Sequence, residues 1–146
     1  CQALESRRVR TYPTGRRHRD MKLHLTALPG IFCVVRQDKD AALPDWFSLK
    51  SPLACACRTA DELSLLSPQQ DVPAAVPGER NLRAFKVAGP LEFTQTGILA
   101  AIAAPLAEVE IPIFSISTFE TDYVLVPAAR FEQAARVLSV EFSVST

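Results

Sequence analysis

Long apolar runs are missing from this chain. No stretch approaches the roughly 20 consecutive apolar residues that cross a bilayer. The richest run, 97–106, is about half that length and largely alanine, the composition of a core helix. Motifs of turnover are missing as well: there is no G-x-S-x-G, no H-E-x-x-H, no Walker loop and no paired-cysteine zinc pattern. Histidine is scarce, with two in the chain. His18 lies in an unpatterned leader, and His24 alternates with Leu23 and Leu25 as a solvent-facing strand residue does, without a catalytic partner. These absences point away from an enzyme, a membrane span and a cofactor or metal.

Net charge is zero, but its distribution is uneven. Six arginines (Arg7, Arg8, Arg10, Arg16, Arg17, Arg19) stand against Glu5 and Asp20 in the first twenty residues, which leaves 21–146 acidic by four. A basic leader is a contact point for nucleic acid in principle, yet this one has no apolar period, and nucleic acid is not the expected partner. The expectation is that 1–20 form a disordered arm or non-native leader, and that the patterned stretch opening at Met21 begins the fold. The leader lacks the apolar core of a secretory signal.

Of four cysteines, Cys1 is in the leader, and Cys33, Cys55 and Cys57 fall in apolar segments. Cys55 and Cys57, one residue apart, point to the same side of a strand, a spacing that fits neither a C-x-x-C redox pair nor a zinc knuckle. Buried free thiols in a reducing cytoplasm are expected.

Short or alternating apolar runs between turn residues predict strands near 22–28, 31–36, 53–58, 62–66, 82–88, 112–118 and 122–126, with a last one near 138–144. Helices are expected at 97–108 and 128–137, with a shorter turn of helix at 43–47. The segment 69–80, with Pro73, Pro77 and Gly78, reads as a linker. It divides the chain into units 21–80 and 81–146. Sliding "CACRTADELSLLSP" (55–68) onto "FSISTFETDYVLVP" (114–127) without a gap pairs Thr59 with Thr118, Leu66 with Leu125 and Pro68 with Pro127, the mark of a duplicated unit. In the second half the order is strand, helix, strand, strand, helix, strand. This is the βαββαβ order of ferredoxin-like domains, in an α+β fold with antiparallel strands and both helices on one face.

Candidate binding groups gather at two places. Thr94 and Thr96 precede a helix entered through Gly97, and the free amides of its first turn carry about half a positive charge suited to a carboxylate. Pro105 has no N–H to give the carbonyl of Ala101. Alanines 100, 101, 103 and 104 thin the helix wall, while Ile98, Ile102, Leu106 and Val109 form its apolar stripe. At the second place, the bend of the quoted hairpin, Thr118, Phe119, Glu120 and Asp122 stand together. Asp there is commonly a turn residue, and an aromatic in such a bend folds back on the core or walls a pocket.

The stretch 96–127, with G-I, P-L and I-S-T-F-x-x-D followed by L-V-P, resembles the ACT domains, and most closely the tandem type of the CASTOR arginine sensors and small bacterial relatives. "KLHLTALPGIFCVVR" and "RTADELSLLSP" match more loosely in the first half. The resemblance implies two ACT units in tandem and a regulatory module without catalytic residues. It also implies that an amino acid or similar metabolite binds between units, and that a chain with two units forms a homodimer to complete the arrangement. Carried over residue by residue, the pocket falls on Thr94, Gln95, Thr96, Gly97, Ile98, Leu99, Ala101, Ile102, Thr118, Phe119 and Asp122. Helix-start amides would hold the carboxylate, backbone carbonyls near the hairpin or at Ala101 the ammonium, and Asp122 and Thr118 would read the side chain. Where the arginine sensors carry an acid in the loop, this chain has Gln95. A guanidinium therefore loses a partner worth about 1.5–3 kcal/mol, and arginine is not favoured. The alternative reading is a protein-interaction or dimerisation module without a ligand, docking itself or a regulated partner protein.

Overall fold

A computed structural model describes residues 23–89 and 97–146. Eight strands and two α-helices follow in the order β1 (His24–Ala27), β2 (Phe32–Gln37), β3 (Cys55–Arg58), β4 (Leu63–Pro68), β5 (Glu79–Val87), α1 (Ile98–Glu108), β6 (Phe114–Ser117), β7 (Asp122–Pro127), α2 (Phe131–Leu138) and β8 (Ser143–Ser145). Short 3-10 turns, Gln69–Asp71 and Ala128–Arg130, follow β4 and β7. No helix among the described residues is long and apolar enough to cross a membrane. The chain is α+β with a largely antiparallel sheet.

All eight strands join one sheet. Its hub is β5, which pairs with β7 on one side and with both β2 and β1 on the other. One strand can serve two neighbours on one edge because it is long and broken in register between Phe32 and Val34. Asn81 takes the left-handed conformation there (φ 59°). Gln69 fixes the break: its Oε1 accepts from the Asn81 amide at 2.6 Å, and its Nε2 donates to Asn81 Oδ1 at 3.2 Å. The boundary expected at 80/81 thus falls inside a strand shared by both halves, and Val72 of the expected linker is buried.

The second half has the βαββαβ order, with one departure from a closed ferredoxin-like unit. β1 occupies the β5 edge through Leu25↔Val87 and Ala27↔Phe85, so β8 pairs in parallel with β1 instead of with β5. His24 Nε2 and Ser145 Oγ, 2.8 Å apart, tie the two strands. The last strand is also shorter than expected, because Leu138 completes the buried side of α2 and Phe142 is buried in the turn that follows.

Both helices lie on one face of the sheet. There Ile102 and Leu106 of α1 meet Phe131, Ala134 and Leu138 of α2 over Leu25, Phe85, Val87, Val124 and Val126. The period of α1 matches its predicted apolar stripe. It ends in a Schellman closure, in which Glu110 is left-handed (φ 55°) and the Ile111 amide donates to Leu106 O at 2.9 Å. Arg130 Nη2 caps the same end by donating to Val109 O at 3.0 Å. The helix-free face carries its own cluster of Phe32, Leu66, Ala84 and Leu125, with Leu53 against it.

The duplication proposed from sequence has a counterpart in the elements. β3, β4 and the first 3-10 turn recur as β6, β7 and the second 3-10 turn at a constant offset along the chain. Pro68 and Pro127, the matched prolines, have nearly the same backbone angles (φ −52°, ψ 131° and φ −54°, ψ 132°). The halves differ in their helices, since the described first half has no α-helix. The expected turn of helix at 43–47 is a single reverse turn, closed by the Phe47 amide on Pro44 O at 3.0 Å. Trp46 and Phe47, edge to face at 6.2 Å, instead pack against Cys33, Val35, Leu63, Leu65 and Val72. Ser67, in that half, is 1% exposed, and its Oγ has no hydrogen-bond partner. A buried, unsatisfied hydroxyl costs stability, so Ser67→Ala should raise the unfolding free energy by about 1 kcal/mol in urea titration.

Candidate functional site

Topology sets one end of the second half apart. β5 and β7 are antiparallel with Lys86 opposite Tyr123, so the C-terminal end of β5 lies beside the bend between β6 and β7. Thr121, 7% exposed, fixes that adjacency by donating its hydroxyl to Val87 O. The C-terminus of α1 is held by Arg130, beyond the far end of β7. With about 1.5 Å of rise per residue, α1 spans roughly 16 Å. Its N-terminus is therefore carried back toward the β5 end and the hairpin bend. The two places singled out in the sequence share one end of the sheet.

At the helix start, Gly97 is left-handed (φ 85°) and makes no side-chain cap. Only glycine adopts that conformation without a Cβ penalty, and a Cβ added there would meet nothing within 4 Å. The Ala101 amide donates to Gly97 O at 2.9 Å, which closes the first turn behind the leading amides. Ile98, Leu99 and Ala101 are half-buried and pack against the core, and Ile102 is wholly enclosed in it. Ala100, Ala104 and Ala107 are exposed along the outer side of α1. Thr94, Gln95 and Thr96 lie outside the described residues.

At the hairpin, Thr118 closes the bend: its amide and its hydroxyl both donate to Thr121 O, at 2.8 and 2.9 Å. Its sequence counterpart Thr59 makes the same pair of contacts to Glu62 O, at 2.9 and 3.5 Å. Both threonines shape a bend, and the Thr118 hydroxyl is turned into its own turn. Asp122 is half-buried and accepts from Ser117 Oγ, its cross-strand neighbour, a different role from the self-bonded turn residue that its position suggests. Phe119 stands 85% exposed at the tip. The polar groups of the matching first-half bend are engaged with one another. Glu62 accepts from Ser64 Oγ at 2.6 Å and from Arg36 Nε at 2.9 Å. These two hydrogen bonds hold the Glu62 carboxyl below its ordinary range. Their contribution is present at neutral pH and lost as pH falls through that lowered value.

Thr121 and Ser117 are the residues that sequence reasoning missed. The only signal was the pairing of two hydroxyl residues around "TFET". An open cleft of about 820 Å³ lined by Pro29, Ile31, Pro52, Pro68, Pro73 and Arg80 lies in the first half and includes none of the expected site residues. Among the described residues no group of three or more His, Cys, Asp or Glu side chains could hold a metal ion. Cys33 is buried as expected, whereas Cys55 is half-buried and Cys57 exposed.

Residues 78–140 match the family model of the ACT domain. Among curated proteins the chain is similar to the cytosolic arginine sensor for mTORC1 subunit 1 of Mus musculus, 50% identical over 46 residues. That match covers 31% of this chain and 14% of the sensor, a small part of its length. Among solved structures it is similar to protein Atu0741 from Agobacterium tumefaciens, with TM-score 0.79 and 30% identity over 86% of this chain and 94% of that one. It shares its fold with a structure of aspartokinase alpha and beta subunits, at TM-score 0.61 and 17% identity over 83% of this chain and 98% of that one.

Proposed function

Because the chain carries an ACT domain over residues 78–140, we propose that it is a regulatory, non-catalytic protein of the cytoplasm that binds an amino acid or similar metabolite. The pocket lies at the end of the second half where α1 begins and β6 turns into β7. A tandem arrangement of two ACT-like halves joined through the shared strand β5, and pairing of two chains, complete the enclosure. What supports this reading is the topology, which brings the start of α1 and the β6–β7 bend that carries Asp122 to the same end of the sheet. The amides take the carboxylate, and Asp122 reads the opposite end of the ligand. The exposed alanines of α1 let a second chain approach closely.

One of the differences between the halves supports a single ligand end per chain. Sequence matching places Leu63, fully buried, where the second half has Asp122. The first half also lacks a crossover helix to supply amides among the described residues.

Thermal unfolding against each of the twenty amino acids at millimolar concentration tests the reading. A ligand at 100 times its dissociation constant adds about 2.7 kcal/mol, a rise of about 10 °C for a chain of this size. One amino acid or a related few should give the rise, and Asp122→Ala should abolish it. A second reading is favoured by Ile113, Phe114 and Phe119, exposed apolar side chains on and beside the β6 edge strand. If the panel is flat while these side chains are shielded in a self-associated or partner-bound form, the protein is an interaction module.

A further inference from the structure

The register of β3 brings two thiols to one side of an open sheet edge. Cys55 lies opposite Leu66 and Cys57 opposite Ser64. Both side chains leave the strand on the helix-free face, Cys55 against the Phe32 and Leu66 cluster and Cys57 in solvent. Within the described sheet β3 pairs with β4 and with no other strand. Cys33 is fully buried in the cluster on the opposite face. Arg58, the next residue, donates its guanidinium to the backbone carbonyls of Lys39 and Ala41.

Spacing decides which chemistry this pair can perform. Two residues along an extended strand are about 6.6 Å apart. A disulfide needs β-carbons about 3.5–4.5 Å apart, so oxidation within the pair would break the strand. Rotation about χ1 brings the sulfurs nearer than their β-carbons while the backbone stays in place. Two metal–sulfur bonds of about 2.3 Å in line span about 4.6 Å, which suits that separation. Ions that need four donors are not served, since no third His, Cys, Asp or Glu joins the pair among the described residues.

We propose that Cys55 and Cys57 form a two-coordinate dithiolate site for a soft monovalent cation of the Cu(I) class, on the outer strand of the first half. Two thiolates with no harder donor beside them select such an ion. On binding, both S–H bonds break, two protons pass to solvent and two metal–sulfur bonds form. The cation keeps its oxidation state, and the complex carries one negative charge.

Anaerobic titration of the reduced full chain with Cu(I), in competition with a chromophoric chelator, tests the site. The expected result is one ion per chain, two protons released and an ultraviolet sulfur-to-copper band. Cys55→Ser and Cys57→Ser should each lower affinity at least 100-fold, while Cys1→Ser leaves it unchanged. Cys57 is exposed, so its replacement leaves the fold intact. Unchanged binding in Cys57→Ser, loss of binding in Cys1→Ser, or a single ion bridging two chains overturns the proposal.

Discussion

Phe131→Ala is expected to lower stability by about 3–5 kcal/mol, the range for removing an aromatic from a packed core. Phe131 is fully buried at the start of α2, and its ring stacks on Phe85 with centroids 4.3 Å apart and planes 11° from parallel. The Arg83 guanidinium carbon lies 3.6 Å from the same ring centroid. Three costs therefore combine: the cavity itself, the lost ring pair, worth about 0.5–1.5 kcal/mol beyond its area, and a cation left without its aromatic face. The Arg83–Glu132 contact at 3.7 Å does not replace them, because Glu132 is largely exposed. At about 4 °C per kcal/mol the melting temperature should fall by about 12–20 °C. Phe131→Leu, which refills most of the volume, should recover much of that loss. A fall below about 4 °C for the alanine variant would show that α2 is not anchored by this ring.

Gly78→Ala is the second large effect, and its cause is backbone proximity. Gly78 precedes β5, and a Cβ there would stand 2.7 Å from Val34 O, 3.0 Å from Cys33 Sγ and 3.1 Å from Val35 Cγ2. The carbonyl belongs to β2, which is hydrogen-bonded to β4 along its length, so it cannot turn aside alone. The strand junction must shift, at about 3 kcal/mol. The register break at Phe32/Val34 is where the two halves join. The substitution should therefore loosen the first half ahead of the second, and amide exchange should show Cys33–Val35 losing protection before Val124–Val126. Equal loss in both segments would mean that the two halves unfold as one unit.

The local parts of this architecture were legible because their causes are local. Ile98, Ile102 and Leu106 repeat at helical spacing and lie on the buried side of α1. The pattern shared by 55–68 and 114–127 emerges as matching strands, bends and 3-10 turns. What was illegible depends on distant partners. Alternation in β1 says that the strand has a buried side, but not that it lies between β5 and β8. The segment 38–54 has apolar content enough to cover a sheet, and whether Trp46 and Phe47 do so from a helix or from a turn is decided by Pro44 and the cluster beneath. At the site, Thr118 was expected to read a ligand side chain, and its hydroxyl is turned instead to Thr121 O within its own bend. Thr121, which nothing in the local sequence singles out, is buried because Val87 of β5 lies within reach.

The central claim is that a ligand carboxylate meets the first turn of α1 while Asp122 faces the other end of the same molecule. Amide chemical-shift mapping on isotopically labelled full-length protein tests it most directly, using the amino acid that gives the largest thermal shift. Shifts are expected to concentrate at Gly97–Ala100 and at Ser117–Asp122, to saturate together, and to be lost in Asp122→Ala. Shifts confined to the cleft around Pro29 and Arg80, with both of those segments unmoved, would contradict it.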